Sequence, residues 1–225
     1  TWKDDETYHR LYLQGLAKQH VAGITKADII QLHTKIGTTK GKPVANRVLA
    51  LIRSVYNKAL RYDQIVCANP ALGVEMFQET SRDRRLNKSE LPRFIEAVAA
   101  EPNETIRDYV LLSLFTGARR SNVQAMRWDQ IDVEAAEWRI PVTKNGTSQI
   151  IPLHDMELSI LKRRQTDYPG DWVFPGPGKS GHMVEPTRGW SRILERAGIQ
   201  NLRVHDLRRT LGSLMADTGA SLHMI

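Results

Sequence analysis

Thr116-Gly117-Ala118-Arg119-Arg120-Ser121-Asn122-Val123 ends one apolar helical pattern and opens another. The pattern before it, Asn103 to Phe115, is stopped by Gly117, the residue type that closes helices in a left-handed conformation. Arg119 therefore falls at a tight turn, at the mouth of a helix that the spacing carries to about Trp128. A guanidinium held there presents a planar fork that suits two phosphate oxygens. The plain alternative is a helix-end arginine paired to a carboxylate, which Arg120 also fits.

Downstream, Glu137–Val142 and Gln149–Leu153 read as short strands joined across Asn145-Gly146, a strong hairpin signal. Lys144 stands at the tip of that hairpin, exposed and able to reach a groove, although exposed turn lysines are common. A helix near Met156–Gln165 follows, then a Pro/Gly-rich stretch from Pro169 to Gly181, then helices near Pro186–Ala197 and His205–Asp217. On the last helix, His205 and Arg208 are three residues apart and share a face. Leu207, Leu211, Leu214 and Met215 form the expected core stripe. Gly212 lies mid-helix beside the pair, where glycine costs about 1 kcal/mol relative to alanine and leaves room for a close neighbour.

Upstream, the chain reads as all helix. Glu6 to His20 carries apolar residues at helical spacing, and Thr25 with Asp28 has the form of a capping box. Pro43 suits a first helical turn, and the run through Val48, Leu49, Leu51, Ile52, Val55, Tyr56 and Leu60 is amphipathic. Asn69-Pro70 ends this block, with a short helix expected after it. Helices are also expected near Ser89–Ala100 and Asn103–Phe115. The fold class is mainly α with a small β-sheet (α+β), in two domains, residues 1–77 and 86–225. Between them, residues 78–85 are polar and basic, either a solvated connector or a positively charged strap.

Composition sets the outer bounds. The 225 residues are 41% hydrophobic, enough for a core, and 25% charged. No apolar run approaches the roughly 18 residues that span a bilayer, and the first residues have no signal-peptide character. The single Cys67 excludes an internal disulfide and a thiolate metal cage, and fits a reducing, cytoplasmic setting. Net charge is +7, from 32 Lys and Arg against 25 Asp and Glu, a surplus that favours a polyanionic partner.

Taken together and in order, Thr116–Val123, the lysine hairpin Thr143-Lys144-Asn145-Gly146 running to Ile151-Pro152-Leu153, and His205-Asp206-Leu207-Arg208-Arg209-Thr210 resemble the catalytic domain of the tyrosine recombinases, the phage and prophage integrases. The helical first block resembles that family's core-site binding domain. The resemblance implies a site-specific DNA recombinase that cuts and rejoins DNA through a 3′-phosphotyrosine intermediate, without metal or other cofactor. Arg119 and Arg208 would grip the scissile phosphate, His205 would assist by proton transfer or phosphate bonding, and Lys144 would protonate the departing 5′ oxygen. The implied partners are double-stranded DNA at attachment or core sites, further copies in a homotetramer, and an accessory bending or directionality factor. Expected phosphate contacts are Lys40, Lys42, Arg47 and Arg53 in the first domain and Arg82, Arg84 and Arg85 in the strap, each with a solvated surface charge as its plain alternative.

Two departures stand out. Asn122 occupies a position where many members carry glutamate. The nucleophilic tyrosine belongs downstream of Arg208, where seventeen residues remain and none is tyrosine. The expectation is a fragment that binds DNA without cleaving it. A non-enzymatic DNA-binding relative and a type IB topoisomerase stay open as alternatives.

Overall fold

The computed structural model describes residues 2–62, 64–141 and 147–217. They form two compact units, divided between Arg82 and Asp83, and each unit has its own hydrophobic core.

The first unit is helical. α1 (Trp2–Tyr8) runs into a π-helical turn, His9–Leu13, instead of the continuous Glu6–His20 helix read from the sequence. The wider turn lets Tyr8, Tyr12, Leu13 and Leu16 all pack against the core. α2 (Lys26–Lys40) opens on the expected capping box. The Thr25 hydroxyl accepts from Asp28 N at 3.2 Å, and the Asp28 carboxylate accepts from Thr25 N at 2.8 Å. α3 (Lys42–Arg61) carries Pro43 in its first turn and buries Ala45, Val48, Leu49, Ile52 and Tyr56. The short helix expected after Pro70 is a turn. Asn69 takes its place as a connector, accepting from Ala71 N and donating to Arg53 O and the Asn57 side chain. Asn46, buried in α3, holds the chain's exit through the Phe77 backbone and the Glu79 carboxylate, while His33 stacks on the Phe77 ring at 4.3 Å.

The second unit surrounds α4 (Glu90–Ala99) and α5 (Glu104–Phe115), whose inner faces include Phe94, Val98, Tyr109, Val110 and Leu112. α6 (Arg120–Gln124) is much shorter than the helix read to Trp128. Tertiary pairing overrides the helical pattern there: Val173 N bonds Met126 O at 2.9 Å and Trp128 N bonds Asp171 O at 3.1 Å, drawing the chain out of the helix. A three-stranded antiparallel sheet follows, with β1 (Ile131–Asp132), β2 (Glu137–Ile140) and β3 (Gln149–Pro152) in the order β1-β2-β3. β2 and β3 pair in register Trp138↔Ile151 and Ile140↔Gln149. β1 has only two residues, too few for an alternating pattern to show in sequence. α7 (Asp155–Asp167), α8 (Thr187–Ala197) and α9 (Val204–Asp217) complete the unit.

α5 and α7 are clasped by a buried ion pair. Asp108 meets Arg164 at 3.2 Å and Arg163 at 2.5 Å. Arg164 also donates to Val173 O and lies over the rings of Tyr168 and Phe174. Thr210 Oγ1 on α9 accepts from Leu86 N at 2.9 Å, and the chain leading into α9 is held to α8 by Trp190 Nε1 donating to Leu202 O at 3.0 Å. No helix among the described residues is long and apolar enough to cross a membrane.

Candidate active site

Gly117 is the pivot of the site. Its φ of +56° lies in the left-handed region, and an added Cβ would come within 2.7 Å of Leu211 Cδ2 on α9. The glycine therefore ends α5 and lets α9 approach the turn. Its carbonyl accepts from Arg208 Nη1 at 2.6 Å, which holds that guanidinium against the turn. Arg119, two residues further on, is the N-cap of α6 with extended backbone. Burial lowers the Arg208 pKa from its usual value, and the nearby charge of Arg119 lowers it further. Among the described residues, no carboxylate forms an ion pair with either arginine. The two guanidiniums thus lie near enough for the charge of one to act on the other, without a carboxylate paired to either among the described residues.

His205 sits beside them at the start of α9. Desolvation lowers its pKa from 6.5, and the charges of Arg209, Arg208 and Arg120 lower it further, against the opposing pull of Asp206. The neutral imidazole is favoured near neutral pH, ready to accept a proton or to donate a hydrogen bond. Asp206 keeps this end of the helix in place: its carboxylate accepts from Arg203 N at 2.9 Å and from Arg209 Nη1 at 2.8 Å.

Two cavities meet at His205. One, of about 770 Å³, is lined by Thr116, Gly117, Arg208, Leu211, Gly212 and Met215 among others. Gly212 does border the space beside the His205–Arg208 pair. Leu211 and Met215, read from the sequence as core, instead face this cavity, and the buried side of α9 is made by Val204, Asp206, Leu207 and Thr210. The other cavity, of about 590 Å³, is lined by Arg119, Arg120, Glu185, Thr187, Arg203 and His205 among others. Arg120 is ion-paired there with Glu185. Sequence reading singled out neither Arg203 nor Glu185. Arg203 lies two residues before His205, but Glu185 is 65 positions from its partner, a separation that hides the pair.

The remaining predicted residues divide. Arg119, His205 and Arg208 are brought together, while Lys144 lies outside the described residues. Lys40, Lys42 and Arg47 are exposed around the junction of α2 and α3, and none has a partner among the described residues. Arg53 behaves differently: its Nη2 donates to the carbonyls of Ala71 and Val74 within the first unit. Arg84 is also engaged internally, in a double hydrogen bond with Glu90 at 2.8 and 2.7 Å. Arg85 pairs loosely with Asp83 at 3.6 Å, and Arg82 is half-buried. Asn122 buries its Nδ2 without a hydrogen-bond partner among the described residues. Neither tyrosine of this unit presents an exposed, unengaged hydroxyl: that of Tyr109 is buried without a hydrogen-bond partner among the described residues. Tyr109 is fully buried, its pKa pushed up by burial and then by Glu185, and the Tyr168 hydroxyl contacts Thr105.

Two arginines without a carboxylate partner among the described residues, a histidine and a glycine turn have the chemistry to bind an oxyanion. Residues 84–225 match the model of the phage integrase family, and the chain belongs to that family. It is similar to prophage integrase IntF of Escherichia coli strain K12, 31% identical over 137 residues, covering 59% of this chain and 29% of IntF. It is also similar to the shufflon-specific DNA recombinase of Escherichia coli, 30% identical over 215 residues, covering 91% of this chain and 54% of that protein. The chain thus spans about half, or less, of the length of these curated relatives. Its fold matches that of a lambda integrase(75–356) dimer bound to a COC′ core site, with a TM-score of 0.77 at 17% identity over 97% of this chain and 83% of that one. A lambda integrase tetramer bound to a Holliday junction gives the same TM-score over 99% of this chain and 68% of that one.

Proposed function

We propose that this chain supplies the DNA grip and the phosphate-activating groups of a site-specific DNA recombinase. The observation that carries the reading is the meeting of Arg119 and Arg208 at the Gly117 turn without a carboxylate. Like charges held together are costly unless an anion fills the space between them.

In the proposed reaction a tyrosine hydroxyl attacks the scissile phosphorus in line. The new O–P bond forms as the bond to the 5′ oxygen breaks, and negative charge builds on the non-bridging oxygens. Arg119 and Arg208 are fixed donors for that charge and need no reorganisation as it develops. His205, neutral near pH 7, takes up or shares a proton at the phosphate. Lys144 protonates the departing 5′ oxygen. The 3′-phosphotyrosine keeps the energy of the broken bond, so rejoining needs no nucleotide cofactor. The recombinase relatives and the family match favour this over a type IB topoisomerase or a non-catalytic relative.

The first unit contributes phosphate contacts through Lys40, Lys42, Arg47 and, at its end, Arg82, and the second through Arg85 near its start; Arg53 and Arg84 make internal bonds. For the whole protein, assembly as a tetramer on DNA is proposed by analogy with the lambda integrase complex. Neither tyrosine of the second unit suits the attacking role, because Tyr109 is buried and the Tyr168 hydroxyl is engaged with Thr105, and the reading places the nucleophile elsewhere in the whole protein. The 225-residue chain is therefore expected to bind duplex DNA and to leave a nicked suicide substrate unlinked. A DNA–protein adduct surviving a denaturing gel would overturn the assignment of the nucleophile to other residues.

A further inference from the structure

The cavity on the α8 side of His205 carries more positive charge than one phosphate needs. Arg119, Arg120 and Arg203 line it together with the neutral His205, against a single carboxylate, Glu185. Arg119 already serves the Arg208 side of the site. The Arg203 guanidinium has no hydrogen bond or ion pair among the described residues, while its backbone N is fixed by Asp206 at 2.9 Å. Arg203 thus offers an unoccupied cation from a rigidly placed position. Thr187 adds a hydroxyl at the first residue of α8.

Glu185 is the anomaly in this wall. An acid facing a cavity that receives a polyanion should weaken binding, yet this one is ion-paired with Arg120. The side chains are 45% and 38% exposed, so solvent screens the pair and it contributes little to stability. A carboxylate oxygen on a guanidinium makes the same charge-assisted contact as a phosphate oxygen. Arg120 also lies close enough to His205 for its charge to act on the imidazole.

We propose that Arg120 and Arg203 form a second phosphate subsite beside the Arg119–Arg208 site, and that Glu185 occupies Arg120 as an internal stand-in for a DNA phosphate until duplex DNA displaces it. The ligand is the phosphodiester next to the reacting one on the same strand. This rests on the recombinase reading. Glu185 then sets a threshold on binding: loosely held DNA does not recover the lost ion pair, whereas DNA seated on Arg119 does.

The test is duplex affinity of the whole chain against salt, measured by fluorescence anisotropy. Arg203→Gln is expected to weaken binding and to reduce the salt slope by about 1. Glu185→Gln is expected to tighten binding several-fold, and that gain should vanish in an Arg120→Gln background. An equal gain in both backgrounds would show a general charge effect and overturn the stand-in role. An unchanged slope in Arg203→Gln, with a reduced slope in Arg119→Gln, would remove the second subsite and leave the recombinase reading standing. If neither variant changes the slope, the recombinase reading itself is overturned.

Discussion

His205 titrates among Arg208, Arg209 and Arg120, and its pKa is lowered from 6.5 chiefly by desolvation. The unfolded chain therefore binds more protons than the folded one between that lowered value and 6.5. This histidine's contribution to stability is present above pH 6.5 and lost as pH falls through the folded value. A bound phosphate reverses the preference, because it stabilises the imidazolium. Duplex affinity at fixed salt is accordingly expected to rise as pH falls from about 7.5 to about 5.5, through the range where histidine gains its charge. His205→Asn should flatten that rise. A rise of equal size in the variant would place His205 away from the phosphate. The histidine and its two arginines stood out in sequence through three motifs in a fixed order, since the glycine stop and the three-residue helical spacing each left a plain alternative open. Arg203 and Glu185 were not, since their meaning depends on α8 and α9 facing the same cavity.

At the scale of elements, the α5–α7 clasp anchors the first half of α5, the helix that leads into the turn carrying Arg119. Asp108 is fully buried and Arg164 is 1% exposed, so removing one partner strands a charge in the interior. Asp108→Ala is expected to destabilise the second unit by about 3–5 kcal/mol, measured by urea denaturation; a loss below about 1 kcal/mol would show the clasp to be incidental. The sequence predicted α2, α3, α5 and α8 closely, where Thr25, Pro43, Asn103 and Gly198 mark helix ends with local chemistry. It overextended α6, because the pairing of Met126 and Trp128 with residues 171–173 is a long-range event. It placed Leu211 and Met215 in the core, because an apolar stripe looks the same whether it faces a core or a cavity.

At the scale of the molecule, two units with separate cores divide the proposed work. The exposed Lys40, Lys42 and Arg47 belong to one, and the Gly117 turn with its paired arginines belongs to the other. Binding to duplex DNA then sums phosphate contacts from both, and each neutralised phosphate contributes about 0.9 to the slope of log affinity against log salt. Fold and proposed phosphate site are thus connected at one glycine, Gly117, which admits α9 and holds Arg208 through its carbonyl. The central claim is that Arg119 and Arg208 hold a DNA phosphate, and the salt dependence of whole-chain duplex binding tests it most directly. Arg119→Gln/Arg208→Gln should lose close to one phosphate contact or more, reducing the slope by about 1–2. A slope equal to that of the unaltered chain would contradict the account.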